Sequence, residues 1–358
     1  MDLSKYLAIF NFKKRVHTKS LVIFTRQLAT LVVAGLPLVK ALKTLIDQLE
    51  PGTLKDIIKS VALEVESGAN FSEALSHFPK TFPDFYVNMI KAGEQGGMLE
   101  DILKRLSEFL DKSQKLKNKI RSALMYPMFV MIVAVLILIM LMVFVIPTFT
   151  NMFSELGSAL PLPTRLLIVA SEIIRRTWFL IPFIPVILIA IYNALTRNPN
   201  RRFIIDKFKL HLPIVGHLIQ QIAVARFSRT LGTLLSSGVP ILAALNTVKD
   251  TIGNEFIARA VITLHDSIKE GESVAGPMEA SKAFPPLVVK MVNIGEETGE
   301  LDKMLIQIAD NFEEEVDVAV SGLTSLLEPI LIVFMGLMVG FIVIAMFMPL
   351  FSLAKLIE

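Results

Sequence analysis

Two glutamates in a duplicated, glycine-rich stretch are the residues best placed, by type and spacing, to do chemistry. Glu94 lies in AGEQGGMLEDIL, and Glu296 lies in IGEETGELDKML with Glu297 directly after it. A carboxylate in such a turn can ligate a metal or dock a partner, but it can also cap a helix or meet an arginine. The structural role is favoured, because short isolated motifs often match by chance. One structural hypothesis pairs Arg26 with Glu94 and Arg229 with Glu296.

Other catalytic signatures are missing from the sequence. The chain has no cysteine, which excludes thiolate metal sites and cysteine nucleophiles. It contains no GxxxxGK[ST], HExxH or GxSxG motif. The five histidines are scattered and fit surface or turn positions: His17, His77, His211, His217 and His265. We therefore expect no catalytic residue, no cofactor and no metal, and we expect that the chain is not an enzyme.

The composition indicates a membrane protein. Hydrophobic residues make up 53% of the chain and charged residues only 19%. Three apolar segments are candidate transmembrane helices, at 128–146, 178–195 and 330–348. The first and third are uncharged and close to the ~20 residues that span a bilayer. The second is shorter and is interrupted by Pro182 and Pro185.

Basic residues beside these segments predict the orientation of the chain. Five precede the first segment: Lys112, Lys115, Lys117, Lys119 and Arg121. Five follow the second segment: Arg197, Arg201, Arg202, Lys207 and Lys209. The stretch between these two segments carries only three arginines: Arg165, Arg175 and Arg176. The N-terminus and the parts of the chain before the first and third segments are therefore predicted to be cytoplasmic.

The cytoplasmic parts are two copies of one sequence pattern. FTRQLATLVVAGLPLVKAL begins at Phe24, and FSRTLGTLLSSGVPILAAL begins at Phe227. Apolar residues recur every three or four positions, and no run alternates with period two, so each copy is predicted to be a bundle of short helices. The same spacing of glycine and proline in both copies predicts the turns between helices. The predicted turn residues are Gly35, Pro37, Gly93, Gly97, Gly238, Pro240, Gly295 and Gly299.

The surfaces of the two copies differ in charge. Residues 1–127 hold 19 basic and 13 acidic residues, a net charge of +6, whereas residues 196–328 hold 13 and 17, a net charge of −4. The basic run before the first segment fits cytoplasmic topology and contact with anionic membrane lipid. The acidic run Glu313, Glu314 and Glu315 has no such explanation and is a candidate partner contact, with the basic copy or with another protein.

The third apolar segment contains a small-residue pair. Gly336 and Gly340 lie four residues apart in GLMVG, a spacing that allows close approach of two helices in lipid. The pair predicts helix packing, either against the first segment of the same chain or against a second copy.

The doubled motifs, each followed by an apolar segment, resemble the inner-membrane platform proteins of type II secretion and type IV pilus systems, the GspF/PilC family. The resemblance covers about Ser20 to Leu350. It implies an all-α membrane protein with two homologous cytoplasmic six-helix bundles and three transmembrane helices. It also implies a bacterial inner-membrane location. Many family members carry a further segment before the first repeat, and we do not expect a contact through it here.

The resemblance implies a set of partners and a non-enzymatic role. These are a hexameric cytoplasmic assembly ATPase, pilin or pseudopilin subunits, other inner-membrane assembly components, membrane lipid and a second copy of the chain; nucleic acid is not expected. Glu296, Glu297 and the acidic run are hypothesised to face this apparatus. The competing classes are a polytopic transporter and an unrelated membrane scaffold. A transporter predicts polar, ion-binding residues within the apolar segments and more than three segments, whereas the three segments found contain no charged residue.

The predicted organisation has eight parts. They are an N-terminal segment (1–19), a cytoplasmic repeat (20–127), a transmembrane helix (128–146), a periplasmic loop (147–177), a transmembrane helix (178–195), a cytoplasmic linker with the second repeat (196–329), a transmembrane helix (330–348) and a periplasmic tail (349–358).

Overall fold

The structure is a computed structural model that describes residues 16–155, 161–180 and 183–357. Most of the predicted N-terminal segment 1–19 lies outside these ranges. The described residues form helices joined by turns, and no β-strand occurs among them. The all-α prediction is therefore confirmed.

The first repeat contains six helices among the described residues. They are α1 (Thr18–Val33), α2 (Leu38–Gln48), α3 (Thr53–Glu66), α4 (Phe71–Ser76), α5 (Asp84–Gly96) and α6 (Leu99–Met140). The sixth helix is much longer than the others, because it runs from the bundle through Pro127 into the first apolar segment.

Shorter helices connect the two repeats. A π-helical turn, Leu141–Val145, leads into α7 (Ile146–Glu155), and α8 (Leu162–Thr177) is followed by a 3₁₀ turn, Trp178–Leu180. The next elements are α9 (Phe183–Thr196) and α10 (Pro199–Leu210).

The second repeat again has six helices in the part of the chain that the structure describes. They are α11 (Val215–Ser236), α12 (Ile241–Thr251), α13 (Glu255–Lys269), α14 (Ala275–Ser281), α15 (Pro286–Thr298) and α16 (Leu301–Ile357). Helix α16 runs through Pro329 and Pro349. The duplicated six-helix bundle is therefore confirmed.

The described residues divide into two compact units. One combines those up to Asn118 with Asp206–Val316, and so holds both helical bundles. The other combines those of Lys119–Ile205 with those from Asp317 onward, and so holds the apolar segments.

Equivalent positions of the two repeats form the core of the first unit. Phe24 and Phe227 are fully buried in α1 and α11, and the members of a further equivalent pair, Leu103 and Leu305, are likewise inaccessible to solvent in α6 and α16. The buried apolar side chains of both repeats form one contiguous cluster. Fully burying such a side chain contributes about 1.5–3 kcal/mol, so the shared apolar pattern accounts for why both copies fold alike.

Four of the predicted turn glycines adopt the left-handed backbone that glycine tolerates best. Gly35 and Gly238 have φ of +83° and +81°, and the prolines that follow them, Pro37 and Pro240, directly precede α2 and α12. Gly97 and Gly299 end α5 and α15 with φ of +65° and +71°.

The turn assignment of Gly93 and Gly295 is wrong. Both residues are buried inside helices, in α5 and α15. A Cβ at Gly93 would lie 2.9 Å from Cγ1 of Ile102, and one at Gly295 would lie 2.9 Å from the Cα of Leu301. At both positions the next helix passes so close that an added Cβ would force a neighbouring group to shift.

Among the described residues, two helices are long and apolar enough to cross a membrane. These spans cover Leu99–Thr150 and Leu301–Pro349 and include the predicted segments 128–146 and 330–348. A third candidate is a pair of helical pieces, Leu162–Leu180 and Pro185–Thr196, bent by 68°. The predicted boundaries of the spans, loop and tail stay predictions.

The stretch predicted as a loop at 147–177 contains helices α7 and α8. Within the second unit, α8 buries Leu167 in a cluster with Met142 and Ile342. The Thr164 hydroxyl donates to the Ala345 carbonyl at 2.6 Å, and the Ser171 hydroxyl donates to the Met142 carbonyl at 2.5 Å. The helix forms here because its buried residues recur at helical spacing on one face.

Candidate functional site

An arginine in the first helix of each repeat forms an ion pair with the last helix of the same repeat. Arg26 of α1 pairs with Asp111, and Arg229 of α11 donates from Nε to Oε1 of Glu313 at 2.8 Å. Arg229 also donates from Nη2 to Oδ1 of Asp310 at 2.5 Å. Each arginine therefore ties the first helix of its bundle to the helix that continues toward the apolar segment.

Burial and hydrogen bonding shift the pKa values of Arg229 and Asp310 in opposite directions. Burial alone would lower the pKa of Arg229, but its hydrogen bonds to Glu313 and Asp310 raise that pKa above the ordinary value. Burial would raise the pKa of Asp310, but hydrogen bonds from Lys112 and Arg229 lower it. Arg229 and Asp310 are therefore both charged at neutral pH.

The two repeats contact each other within their common unit. Lys112 of α6 donates to Oδ1 of Asp310 at 2.7 Å, so a basic residue of the first repeat joins the network of the second. Asn88 of α5 donates from Nδ2 to the Thr247 hydroxyl of α12 at 2.9 Å. These polar contacts fix which faces of the two bundles meet.

A groove of about 550 Å³ lies along this contact. Its walls carry charges of both signs from both repeats, including Arg105, Glu108, Asp302 and Lys303. Among the described residues, no group of three or more histidine, aspartate or glutamate side chains could hold a metal ion. The groove is thus a surface of mixed charge to which both repeats contribute.

Glu94 and Glu296 cap helices within their own repeats. The Glu94 carboxylate accepts from the Phe71 N–H at 2.5 Å and from the Ser72 N–H at 3.0 Å at the start of α4. The Glu296 carboxylate accepts from the Val274 N–H at 2.8 Å and from the Ala275 N–H at 3.3 Å at the start of α14. The unpaired N–H groups of a helix start attract a carboxylate.

The hypothesis that Arg26 pairs with Glu94 and Arg229 with Glu296 is therefore wrong. Each arginine instead pairs with an acid in the last helix of its repeat. A docking role for the two capping glutamates also conflicts with the structure, because their oxygens are engaged inside the bundle.

The remaining predicted contact residues differ in how free their carboxylates are. Glu313 holds Arg229, and Glu315 accepts from the Gln221 side chain at 2.8 Å. Glu314 is exposed, and the exposed Glu297 accepts from the Asn293 side chain of its own helix at 2.7 Å. Of the five predicted contact acids in the second repeat, Glu297 and Glu314 are therefore the most accessible to a partner.

The glycine pair of the third apolar segment is open to its surroundings in the part of the chain that the structure describes. Apart from neighbouring residues of the same helix, no described atom lies within 4 Å of a Cβ built at Gly336 or Gly340. Packing of this face stays a prediction.

A family model described as type II secretion system (T2SS), protein F matches the chain twice, over residues 24–147 and 227–349. The chain belongs to this family. Each match covers one helical bundle together with the apolar stretch that follows it. The duplication seen in the sequence is thus a duplication of the family's own domain.

Relatives of this family member come from both kinds of system. It is 45% identical over 340 residues to the type IV pilus assembly protein PilC of Thermus thermophilus, covering 94% of this chain and 82% of the relative. It is 41% identical over 343 residues to PilC of Myxococcus xanthus, covering 96% and 82%. The type II secretion system protein F of Vibrio cholerae is 32% identical over 349 residues, covering 98% and 86%.

The sequence did not predict two acids that form contacts in this family member: Asp111 and Asp310. Aligning the repeats could have revealed the first, because Asp111 and Glu313 occupy equivalent positions, as Arg26 and Arg229 do. The opposite charges of the basic run with Lys112 and of the acidic run indicated a possible contact between the repeats, but the acid that Lys112 binds, Asp310, lies just before that acidic run.

Proposed function

We propose that this protein is a non-enzymatic inner-membrane platform. It couples a cytoplasmic assembly ATPase to the insertion of pilin-like subunits into a type IV pilus or a type II secretion pseudopilus. Both helical bundles lie in the cytoplasm with the N-terminus, as the distribution of basic residues indicates. The names of the relatives, type IV pilus assembly protein and type II secretion system protein, support a role within such a machine.

The strongest support for this proposal is the continuity between each helical bundle and the apolar segment that follows it. In each repeat, the last helix of the bundle continues as one helix into the apolar segment, as Leu99–Met140 and as Leu301–Ile357. Pro127, Pro329 and Pro349 each remove one backbone hydrogen bond from these helices. A helix whose other backbone groups are hydrogen-bonded is still stiffer than a loop. A partner that moves a bundle can therefore displace the attached apolar segment. This displacement would be transmitted to a subunit that contacts the segment in the membrane.

A transporter is the less favoured function. The apolar segments 128–146 and 330–348 contain no charged residue, whereas ion and proton paths through membranes usually do. An unrelated scaffold is disfavoured by the two family matches.

Affinity purification of the full chain from its native membranes, followed by mass spectrometry, tests the platform function. We expect a secretion-type ATPase and a pilin-like subunit to copurify. Reproducible recovery of the intact protein with an unrelated set of membrane proteins would contradict the proposal.

The acidic surface of the second repeat is the proposed ATPase contact. Glu297→Lys combined with Glu314→Lys should reduce ATPase recovery by about tenfold or more, since reversed rim charges repel a complementary partner. Glu313 and Glu315 are left unchanged, because reversing them would break their contacts with Arg229 and Gln221.

Asp47→Lys with Glu50→Lys in the first repeat is the matched control, because it makes the same charge change at two exposed positions. Equal ATPase recovery by both variants would show that the contact lies elsewhere. The platform function would still be supported if the ATPase copurified with the unmodified chain.

A further inference from the structure

Helix α10 and the turn after it expose a row of large apolar side chains. Ile204 and Phe208 are each 66% exposed, and their four-residue spacing places them on one face of the helix. Ile214 in the following turn is 59% exposed, and Val215 is 43% exposed. Exposed apolar residues that cluster in this way usually mark a contact surface.

The opposite face of α10 is fixed to the second repeat. Asp206 is buried with an exposed fraction of 3%. Its carboxylate accepts from the Glu255 N–H at 3.0 Å, at the start of α13, and from the Lys209 ammonium at 2.8 Å. Because this anchor holds the helix by one side, the apolar side chains on the other side stay exposed.

The turn after α10 holds Ile214 in a strained conformation. Its φ of +66° and ψ of −59° are those of a γ-turn, closed by the Val215 N–H donating to the Pro213 carbonyl at 2.7 Å. Positive φ is rare for a β-branched residue. The turn is also tight, because a Cβ at Gly216 would lie 2.3 Å from the Leu210 carbonyl oxygen. The chain thus retains an unfavourable turn at an exposed isoleucine.

The surroundings of this apolar row are basic. Between Arg197 and His217 the chain has five lysines and arginines, and its single acid is the buried Asp206. Arg201 and Lys207 are exposed on α10. Exposed apolar side chains beside lysine and arginine are the composition of a helix that lies in the interface of an anionic membrane.

Chain connectivity keeps α10 near the end of the preceding apolar helix. Helix α9 ends at Thr196 and α10 begins at Pro199. Three residues reach at most about 10 Å even when fully extended. If α9 belongs to a span, as the platform function requires, α10 begins within about one headgroup layer of the bilayer.

We propose that residues 199–215 form an interfacial segment that inserts Phe208 and Ile214 into the headgroup region of the anionic leaflet. This inference rests on the proposed membrane location of α9. The segment ties the second repeat to the bilayer surface at a point separate from its terminal helix α16.

The absence of cysteine from the chain allows this proposal to be tested by single labels. Phe208→Cys and Ile214→Cys are made in the full chain, labelled with a fluorophore and reconstituted in phosphatidylcholine vesicles with about one third phosphatidylglycerol. Lipids with a nitroxide near the headgroup quench only a label that touches lipid. Leu63→Cys is the matched control, because Leu63 is also 66% exposed, and Phe334→Cys reports on the third span.

We expect lipid quenching at positions 208 and 214 to exceed that at position 63 by about threefold or more, since interfacial side chains lie ~5–10 Å into the boundary. Reversing two charges, Arg201→Glu with Lys207→Glu, should weaken insertion about fivefold for each positive charge removed. Lys40→Glu with Lys59→Glu, at exposed positions of the first repeat, should leave the quenching unchanged.

Three results would overturn the inference. Labels 208 and 214 as weakly quenched as label 63, in vesicles where label 334 is strongly quenched, would reject the interfacial segment while the membrane location stands. Labels shielded from a water-soluble quencher but not quenched by lipid would assign the surface to a protein, such as a second copy. Weak quenching at 334 as well would reject the membrane part of the proposed function together with this inference.

Discussion

The first helices of the two repeats carry an arginine at equivalent positions, and the two arginines lie in different environments. The Arg26 side chain is 57% exposed and pairs with Asp111. The Arg229 side chain is 7% exposed and binds both Glu313 and Asp310. The fold of the repeat therefore does not determine how deeply this position is buried.

The difference comes from the contact between the repeats. Asp310 accepts from Arg229 on one side and from Lys112 of the first repeat on the other. In the second repeat, the acid–arginine pair common to both repeats is thus extended by Asp310 and Lys112 into a four-residue network that joins the two bundles. An exposed pair contributes little to stability, whereas a buried charge must keep its partners.

The strongest test of this difference is to remove each arginine in turn. Arg229→Met leaves Glu313 and Asp310 without their shared cation and should lower the free energy of unfolding by about 2–3 kcal/mol, somewhat less than for a fully buried pair. Arg26→Met should cost less than about 1 kcal/mol. Thermal unfolding in detergent, followed by circular dichroism, gives both shifts. Equal shifts for the two variants would show that burial of Arg229 is energetically irrelevant.

A second comparison concerns the glycines that allow α5 to pack on α6 and α15 on α16. Gly295→Ala places a methyl group 2.9 Å from the Leu301 backbone, whereas Gly93→Ala meets the Ile102 side chain. A side chain can shift more easily than a helix backbone, and alanine itself favours a helix by about 1 kcal/mol. We expect Gly295→Ala to cost about 1–2 kcal/mol and Gly93→Ala about half as much.

The same unfolding measurement checks this order. A larger loss for Gly93→Ala would mean that the backbone at Leu301 yields more readily than the Ile102 side chain. The packing at Gly93 would then tolerate an added methyl group less well than the packing at Gly295.

The smallest expected effect is on pH dependence. The folded pKa of Asp310 lies below its ordinary value, because hydrogen bonds from Lys112 and Arg229 outweigh burial, which would raise it. Its contribution is therefore fully present above the unfolded pKa of about 3.9 and is lost as pH falls through the folded pKa. Asp310→Asn should flatten the fall in unfolding temperature below about pH 4.

Lys112→Met provides the graded comparison for this effect. It removes one of the two cations and should give a slope between those of the unmodified chain and Asp310→Asn. An unchanged slope in both variants would show that other acids govern acid unfolding.

Much of the fold was predictable from periodicity and from the duplication. Leu103 and Leu305 are buried where the helical pattern places them, and Gly35 and Pro37 lie at the break in that pattern. The long helices at the apolar segments were also predictable from their length. Such features depend on neighbours in sequence, which a single chain displays directly.

The details of the candidate site were less predictable. Glu94 was predicted to lie in a turn but belongs to helix α5. The backbone groups it binds were not identified, because the N–H groups at the start of α4 cannot be recognised in a residue pattern. Gly93 has the same residue type as Gly97 but serves packing rather than turning. The contact of Lys112 with Asp310 joins residues from different repeats, and only the packing of the bundles brings them together.

The contact between Lys112 and Asp310 also makes the two repeats non-equivalent. The second repeat has Glu314 at the position equivalent to Lys112. A chain built from two copies of the second repeat would therefore place a glutamate opposite Asp310, and like charges at that distance repel. The two repeats derive from one unit, but they are no longer interchangeable. Their order along the chain therefore matters for the contact between them.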